Sequence, residues 1–229
     1  MERNKSRDSL DDWIDAAIAA DPQPLFEDDI IESEDGPPLS VSELQAVHER
    51  LSNWQSPSEF KRITDTACAR HKSREWFSNP RLKFLHDAFV LARFARDQRV
   101  DRVRLAPRSE QWPDGHVRIG ERTHNIEITS THGGRKLSDE YRNVTEKPKL
   151  DPVENWVARA ESAPGYLEAA IIAKIRKRYA STCWLVIYLN TGGDYGIRQE
   201  QTKQAILSVK ARYAANFEAI SVRWNGKLY

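Results

Sequence analysis

The sequence predicts an α/β fold in which helices flank a mixed sheet, with a helical lead-in ahead of it. Three observations carry this. Residues 115–120 and 123–130 read as two short strands meeting at Gly120-Glu121-Arg122. The second strand alternates, with Ile126 and Ile128 on one side and Asn125, Glu127 and Thr129 on the other. "CWLVIYLN", residues 183–190, is an unbroken apolar run, as expected for a strand covered on both faces. Helical patterns stand before, between and after these strands, so hairpin and crossover strands share one sheet.

In chain order, residues 1–39 read as an acidic, weakly ordered arm. From Arg7 to Gly36 there are eleven Asp and Glu against one Arg. "LDDWIDAAIAA" has the pattern of a short amphipathic helix, stopped by Asp21-Pro22-Gln23-Pro24, and Gly36-Pro37-Pro38 closes the segment. Residues 40–78 form the helical lead-in. Ser40-Val41-Ser42-Glu43 is a capping box, and the helix it opens sets Val41, Leu44, Val47, Leu51 and Trp54 on one face. Ser56-Pro57-Ser58-Glu59 starts a second helix, expected to reach about Lys72.

The α/β core spans residues 79–229. Asn79-Pro80 opens a helix over about 80–98. Phe84, Leu85, Ala88, Phe89, Leu91, Ala92 and Ala95 cover more than one of its faces, so it should be well buried. A strand at 102–106 precedes the hairpin. A polar connection containing Gly133-Gly134 leads to a helix expected at about 165–179. After the 183–190 strand come the loop Thr191-Gly192-Gly193-Asp194, a helix near 199–214 and a last strand, Phe217 to Trp224.

Composition narrows the function classes. Thirty-five basic residues against 34 acidic ones give a net charge of +1, so total charge announces no polyanion partner. With the arm so acidic, however, the rest of the chain is basic. The arm is either a solvated tail or a shield for that basic surface. Cys68 and Cys183 alone make no disulfide framework and no cysteine zinc site. No signal-like segment or run of 18 apolar residues is present, so a soluble, cytoplasmic protein without membrane contact is expected. No Gly-rich phosphate loop follows the first strand. The histidines at 48, 71, 86, 116, 124 and 132 show no HExxH spacing. His116 and His124 are candidates to face each other across the hairpin beside the acids. Trp112 is a candidate for base stacking, although large aromatics in sheets are ordinarily core.

Asp114 precedes the hairpin's first strand and Glu127 lies in the second. Antiparallel pairing brings such positions together on one face when the register is right. Solvated sheet acids are the ordinary case. Buried together, the two would repel and need a cation, for which a hard divalent ion is the usual partner. Immediately after the strand, "THGGRKLSDEYR" gathers His132, Arg135 and Lys136 beside two glycines, which suits phosphate contact as well as a plain basic loop.

Pro113-Asp114 followed by Glu127-Ile128-Thr129, within this element order over residues 80–224, resembles the PD-(D/E)xK nuclease superfamily, the restriction-endonuclease-like phosphodiesterases. The longer stretch from "WPDG" to "IEITSTHGGRKL" is similar to an uncharacterised bacterial branch with ExT in place of ExK. The resemblance implies a restriction-endonuclease-like fold and a Mg or Mn cofactor. Its ligands would be Asp114, Glu127, the Ile128 carbonyl and, from the preceding helix, Asp87. It also implies hydrolysis of nucleic acid, DNA first, and allows a homodimer, as in relatives that cut two strands.

One departure stands out: the pattern wants lysine where this chain has Thr129. A threonine hydroxyl cannot supply the positive charge lysine would bring to the developing anion. Lys174, Lys177 and Lys136 are the candidates to supply it from elsewhere, and Lys177 also suits phosphate. The alternatives are a catalytically impaired module that binds nucleic acid or a protein partner through the same face, and an accessory subunit that docks a protein partner through the N-terminal arm and lead-in, residues 1–78.

Overall fold

The computed structural model describes residues 31, 36–71, 75–132, 153–179, 182–190 and 199–229. The acidic arm's helix, Arg135, Lys136 and both Gly-Gly loops lie outside the described residues.

Six strands form one mixed sheet in sequential order. β1 (Arg102–Leu105), β2 (Gly115–Ile119) and β3 (Arg122–Thr131) make an antiparallel meander. β4 (Trp184–Leu189) runs parallel to β3, and β5 (Ala219–Trp224) parallel to β4. A short β6 (Lys227–Leu228) returns antiparallel on β5. The sequence reading missed β6, which turns on Asn225 and Gly226 at φ 47° and 66°. Asn-Gly is a strong signal for a two-residue hairpin, because both residues tolerate positive φ.

The expected α/β class holds. α1 (Val41–Leu51) carries the capping box: Glu43 N donates to Ser40 Oγ, and Ser40 N to Glu43 Oε2 at 2.7 Å. α2 (Pro57–Ala69) is capped by Ser56. A single turn, α3 (Glu75–Ser78), and a 3-10 turn at Pro80–Leu82 lead into α4 (Lys83–Asp97), so the helix expected from residue 80 starts later. α5 (Val153–Ile175) begins well before the expected residue 165. Pro164 and Gly165 mark a weak point in local propensity, but burial of Ala160, Ala163, Leu167 and Ile171 carries the helix through. α6 (Gln199–Tyr213) follows β4 in the chain.

β4 explains how the sheet is covered. Val186 joins a core with Leu85, Phe89 and Phe94 of α4, Ile126 and Ile128 of β3, and Leu44, Leu51 and Phe60 of the lead-in. Leu185, Ile187 and Leu189 face the other way, into a second core with Leu167 and Ile171 of α5 and Ile206 of α6. Alternate residues of one apolar run thus serve two cores, as the period of two requires. The lead-in belongs to the first core and also extends the sheet, through two 3.0 Å backbone hydrogen bonds between Gln55 and Val103.

Two expectations for α1 are corrected. Leu44, His48 and Leu51 form its buried face, whereas Val41 is 49% exposed. Trp54 lies beyond the helix, and the guanidinium carbons of Arg104 and Arg118 lie 5.0 and 4.7 Å from its ring. Two buried arginines brace α4 more deeply. Arg93 pairs with Asp65 at 2.5 Å, and Arg223 of β5 pairs with Asp97.

Gly115 positions the site-bearing strand. A Cβ there would meet Leu91 Cδ2 at 2.6 Å and the Arg104 carbonyl oxygen at 2.9 Å. Leu91 is fully buried, so neither neighbour can give way cheaply. Gly115→Ala should therefore cost about 1–3 kcal/mol, the usual range for overpacking. A lower urea midpoint at unchanged m-value checks it. An unchanged midpoint would mean the strand has room to shift.

Candidate active site

The β2–β3 register pairs Gly115 with Ile126 and His116 with Asn125. One step past the Gly115–Ile126 pair stand Asp114 and Glu127. Asp114 is tied to β3 twice: its amide donates to the Ile126 carbonyl at 3.0 Å, and its Oδ2 accepts from the Ile128 amide at 2.7 Å. The same register separates the histidines expected to face each other. His124 sits opposite Val117 and contacts Glu218 at 2.7 Å, while His116 lies 3.7 Å from Glu110.

Glu127 is 3% exposed. The polar stripe of β3 is therefore no solvated sheet face. Ile126 and Ile128 take the α4 side, which leaves Glu127 facing the end of α5. There Lys174, in the last turn of α5, donates to Glu127 Oε1 at 2.5 Å and to the Ile128 carbonyl at 3.0 Å. Tyr179 donates its hydroxyl to the same carboxylate oxygen at 2.5 Å. Lys177 lies 3.7 Å from it, with its side chain 57% exposed. The sequence reading put both lysines on the helix, but α5 ends at Ile175 and Lys177 stands just beyond.

Together these groups line a cleft of about 730 Å³. It takes in Asp87, Asp114, Glu127, Ile128, Thr129, His132, Lys174 and Lys177, the predicted metal, catalytic and phosphate residues within the described part of the chain, but not His116 or His124. Asp87 comes from α4, near Lys83 at 4.0 Å and His86 at 3.5 Å. Ser130, on the α4 side of β3, contacts His86 Nε2 at 3.0 Å. Trp112 forms one wall and stacks on Tyr179, with ring centroids 5.2 Å apart at 17°.

Tyr179 and His86 were not picked out from the sequence as members of the site. Nothing local flags Tyr179, since its partner lies 52 residues away in the sequence. The Glu127 charge and burial push its phenol above the ordinary range, burial being the larger cause. The hydroxyl therefore stays a donor. The Cys183 thiol is pushed up to about 11, chiefly by burial, which makes it a poor nucleophile.

Asp114 carries the electrostatic signature of the site. Its carboxyl is raised to about 6 by burial first, then by the charges of Asp87 and Glu127, against the opposing pull of the Ile128 amide and Lys174. A carboxyl raised on folding adds stability that is full below its ordinary value of 3.8 and lost as pH rises through about 6. In divalent-free buffer, the urea midpoint of the native chain relative to Asp114→Asn should fall between those pH values. A flat difference would show that Asp114 is not crowded by its neighbours.

The oxygen set fits a hard cation. Among the described residues no three His, Cys, Asp or Glu side chains converge on one point, but Mg²⁺ takes one or two carboxylates and keeps water for the rest. Two carboxylates and the Ile128 carbonyl answer that need. A cation already bridges part of the set, since the Lys174 ammonium spans Glu127 and the Ile128 carbonyl. No family model matches this chain, and no curated protein or solved structure matches it either. No helix among the described residues is long and apolar enough to cross a membrane.

Proposed function

We propose that the chain is a divalent-metal-dependent phosphodiesterase of restriction-endonuclease-like architecture, acting on nucleic acid, with DNA the first candidate. One observation carries the reading: the Lys174 ammonium reaches Glu127 and the Ile128 carbonyl from α5. It supplies, from another element, the positive group that Thr129 denies to the motif. The antiparallel meander followed by a parallel fourth strand supports the architecture.

In this reading Asp114, Glu127 and the Ile128 carbonyl hold Mg²⁺ or Mn²⁺, with Asp87 adding negative potential or a water-mediated contact. Such an ion polarises the phosphoryl group and lowers the pKa of water. Lys174 orients the attacking water and stabilises charge developing on the phosphate oxygens. Tyr179 fixes the Glu127 rotamer through its hydroxyl. Lys177 and His132, both lining the cleft, contact flanking phosphates. Arg135 and Lys136, which follow β3 in the sequence, keep their proposed role in phosphate contact, and a homodimer would place two such sites on one duplex.

The test is cleavage of single-stranded and duplex DNA and RNA with Mg²⁺, Mn²⁺ or chelator. Metal-dependent cutting that disappears in Asp114→Ala and Glu127→Ala is expected. Cutting that survives both substitutions overturns the site.

A second reading has its own observation. Lys174 satisfies Glu127 without any ion, as in a module that binds nucleic acid or a protein partner but does not cut. Calorimetric titration with Mg²⁺ separates the two, because the binding module has no specific divalent site.

A further inference from the structure

A second cleft, about 610 Å³, adjoins the first. Lys83 and Asp87 line both, so these two side chains form the ridge between them. The second cleft lies between α1 and the start of α4. Arg81, Lys83 and Arg108 bring three cations to it against the single carboxylate of Asp87. Arg81 and Arg108 are exposed, and neither is paired with a carboxylate among the described residues. The rest of the lining is mixed: Val41, Leu44, Pro80 and Phe84 are apolar, and Gln45 and His48 are polar. His48 meets Phe84 edge-on at 5.0 Å, and the Arg108 guanidinium stands 6.0 Å from the same ring.

Two exposed arginines without carboxylate partners among the described residues, beside the half-buried ring of Phe84, make a pattern with a known use. Single-stranded nucleic acid offers phosphates to the cations and unstacked base faces to the aromatic and guanidinium planes. A duplex offers only its phosphates and leaves the ring of Phe84 unused. An acidic peptide satisfies the arginines but brings no flat π face to Phe84.

We propose that this second cleft binds single-stranded nucleic acid, with Arg81 and Arg108 on phosphates and a base against Phe84. The strand would thus be led over the Lys83–Asp87 ridge toward Asp114 and Glu127. This deepens the phosphodiesterase reading and rests on it for the direction of the strand. Within that reading it makes a single strand, or the unpaired end of a duplex, the substrate form.

The experiment measures binding of fluorescein-labelled oligothymidylate, oligouridylate and a duplex to the full chain by anisotropy, with chelator present so that nothing is cut. Both single strands should bind more tightly than the duplex. Arg81→Ala/Arg108→Ala should weaken strand binding and make the log affinity–log salt slope shallower by roughly 1.4, two phosphate contacts at about 0.7 each. Arg81→Lys/Arg108→Lys should restore most of the slope. Phe84→Leu should weaken strand binding without changing the slope.

Tighter duplex binding, an unchanged slope in the alanine variant, or equal displacement by polyglutamate overturns the proposal. Hydrolysis of bis(p-nitrophenyl) phosphate, too small to reach the second cleft, reports separately on the metal site. Strand binding without hydrolysis defeats the phosphodiesterase reading alone. Hydrolysis with no strand preference defeats this one alone.

Discussion

Lys174→Met is expected to lower turnover by about 10²–10³-fold, the range for removing one donor aimed at developing negative charge, while divalent affinity rises. The two effects run in opposite directions for one reason. Lys174 bridges Glu127 Oε1 and the Ile128 carbonyl, two of the oxygens assigned to the ion. Ion and ammonium therefore compete for the same lone pairs. Methionine keeps the stem's packing and removes the charge, so Glu127 is left buried with the Tyr179 hydroxyl and the more distant Lys177.

An unpaired buried carboxylate is costly, so the metal-free variant should melt lower and recover with Mg²⁺ to a greater extent than the native chain does. Calorimetry, melting and single-turnover cleavage read the three quantities separately. A variant that binds Mg²⁺ less tightly, or cuts at the native rate, removes Lys174 from the role assigned to it.

Glu127→Gln should have the larger effect on catalysis, because it removes a metal ligand's charge while keeping its shape. Loss of several kcal/mol of charge stabilisation corresponds to a fall of at least about 10³-fold in cleavage. The heat of Mg²⁺ binding should disappear with it. The substitution also carries a readout independent of activity. The charge of Glu127 helps hold the Asp114 carboxyl at about 6, so the Asp114 titration, followed by carbon NMR in the metal-free protein, should move down in the variant. An Asp114 titration that stays in place would mean the two carboxylates are not electrostatically joined. The site would then lose its acid pair whatever the enzyme assay reports.

Much of the architecture could be read locally. Ser40 and Ser56 cap their helices because each hydroxyl accepts from an exposed amide three residues on, and at Ser40 the Glu43 carboxylate returns the bond. β3 and β4 announce themselves through a period of two and an unbroken apolar run. Where local signals failed, burial had overruled them. Pro164-Gly165 reads as a boundary, yet α5 continues through it. Val41 fits the apolar face of α1, yet it alone of that face is left exposed, lining the second cleft while Leu44 and Leu51 are buried.

What the sequence determined by itself is the order of the elements from α4 to β5 and the placing of Asp114 and Glu127 one hairpin apart, since a short hairpin leaves little freedom in register. It also posed the problem of Thr129. Only the tertiary structure decided that Glu127 is buried rather than solvated, that Lys174 and Tyr179 converge on it, and that Asp87 of α4 adds its charge. These contacts join residues 47 and 52 positions apart, or different faces of the sheet. Their distances are set by how α4 and α5 pack on β3, and no spacing along the chain encodes that packing.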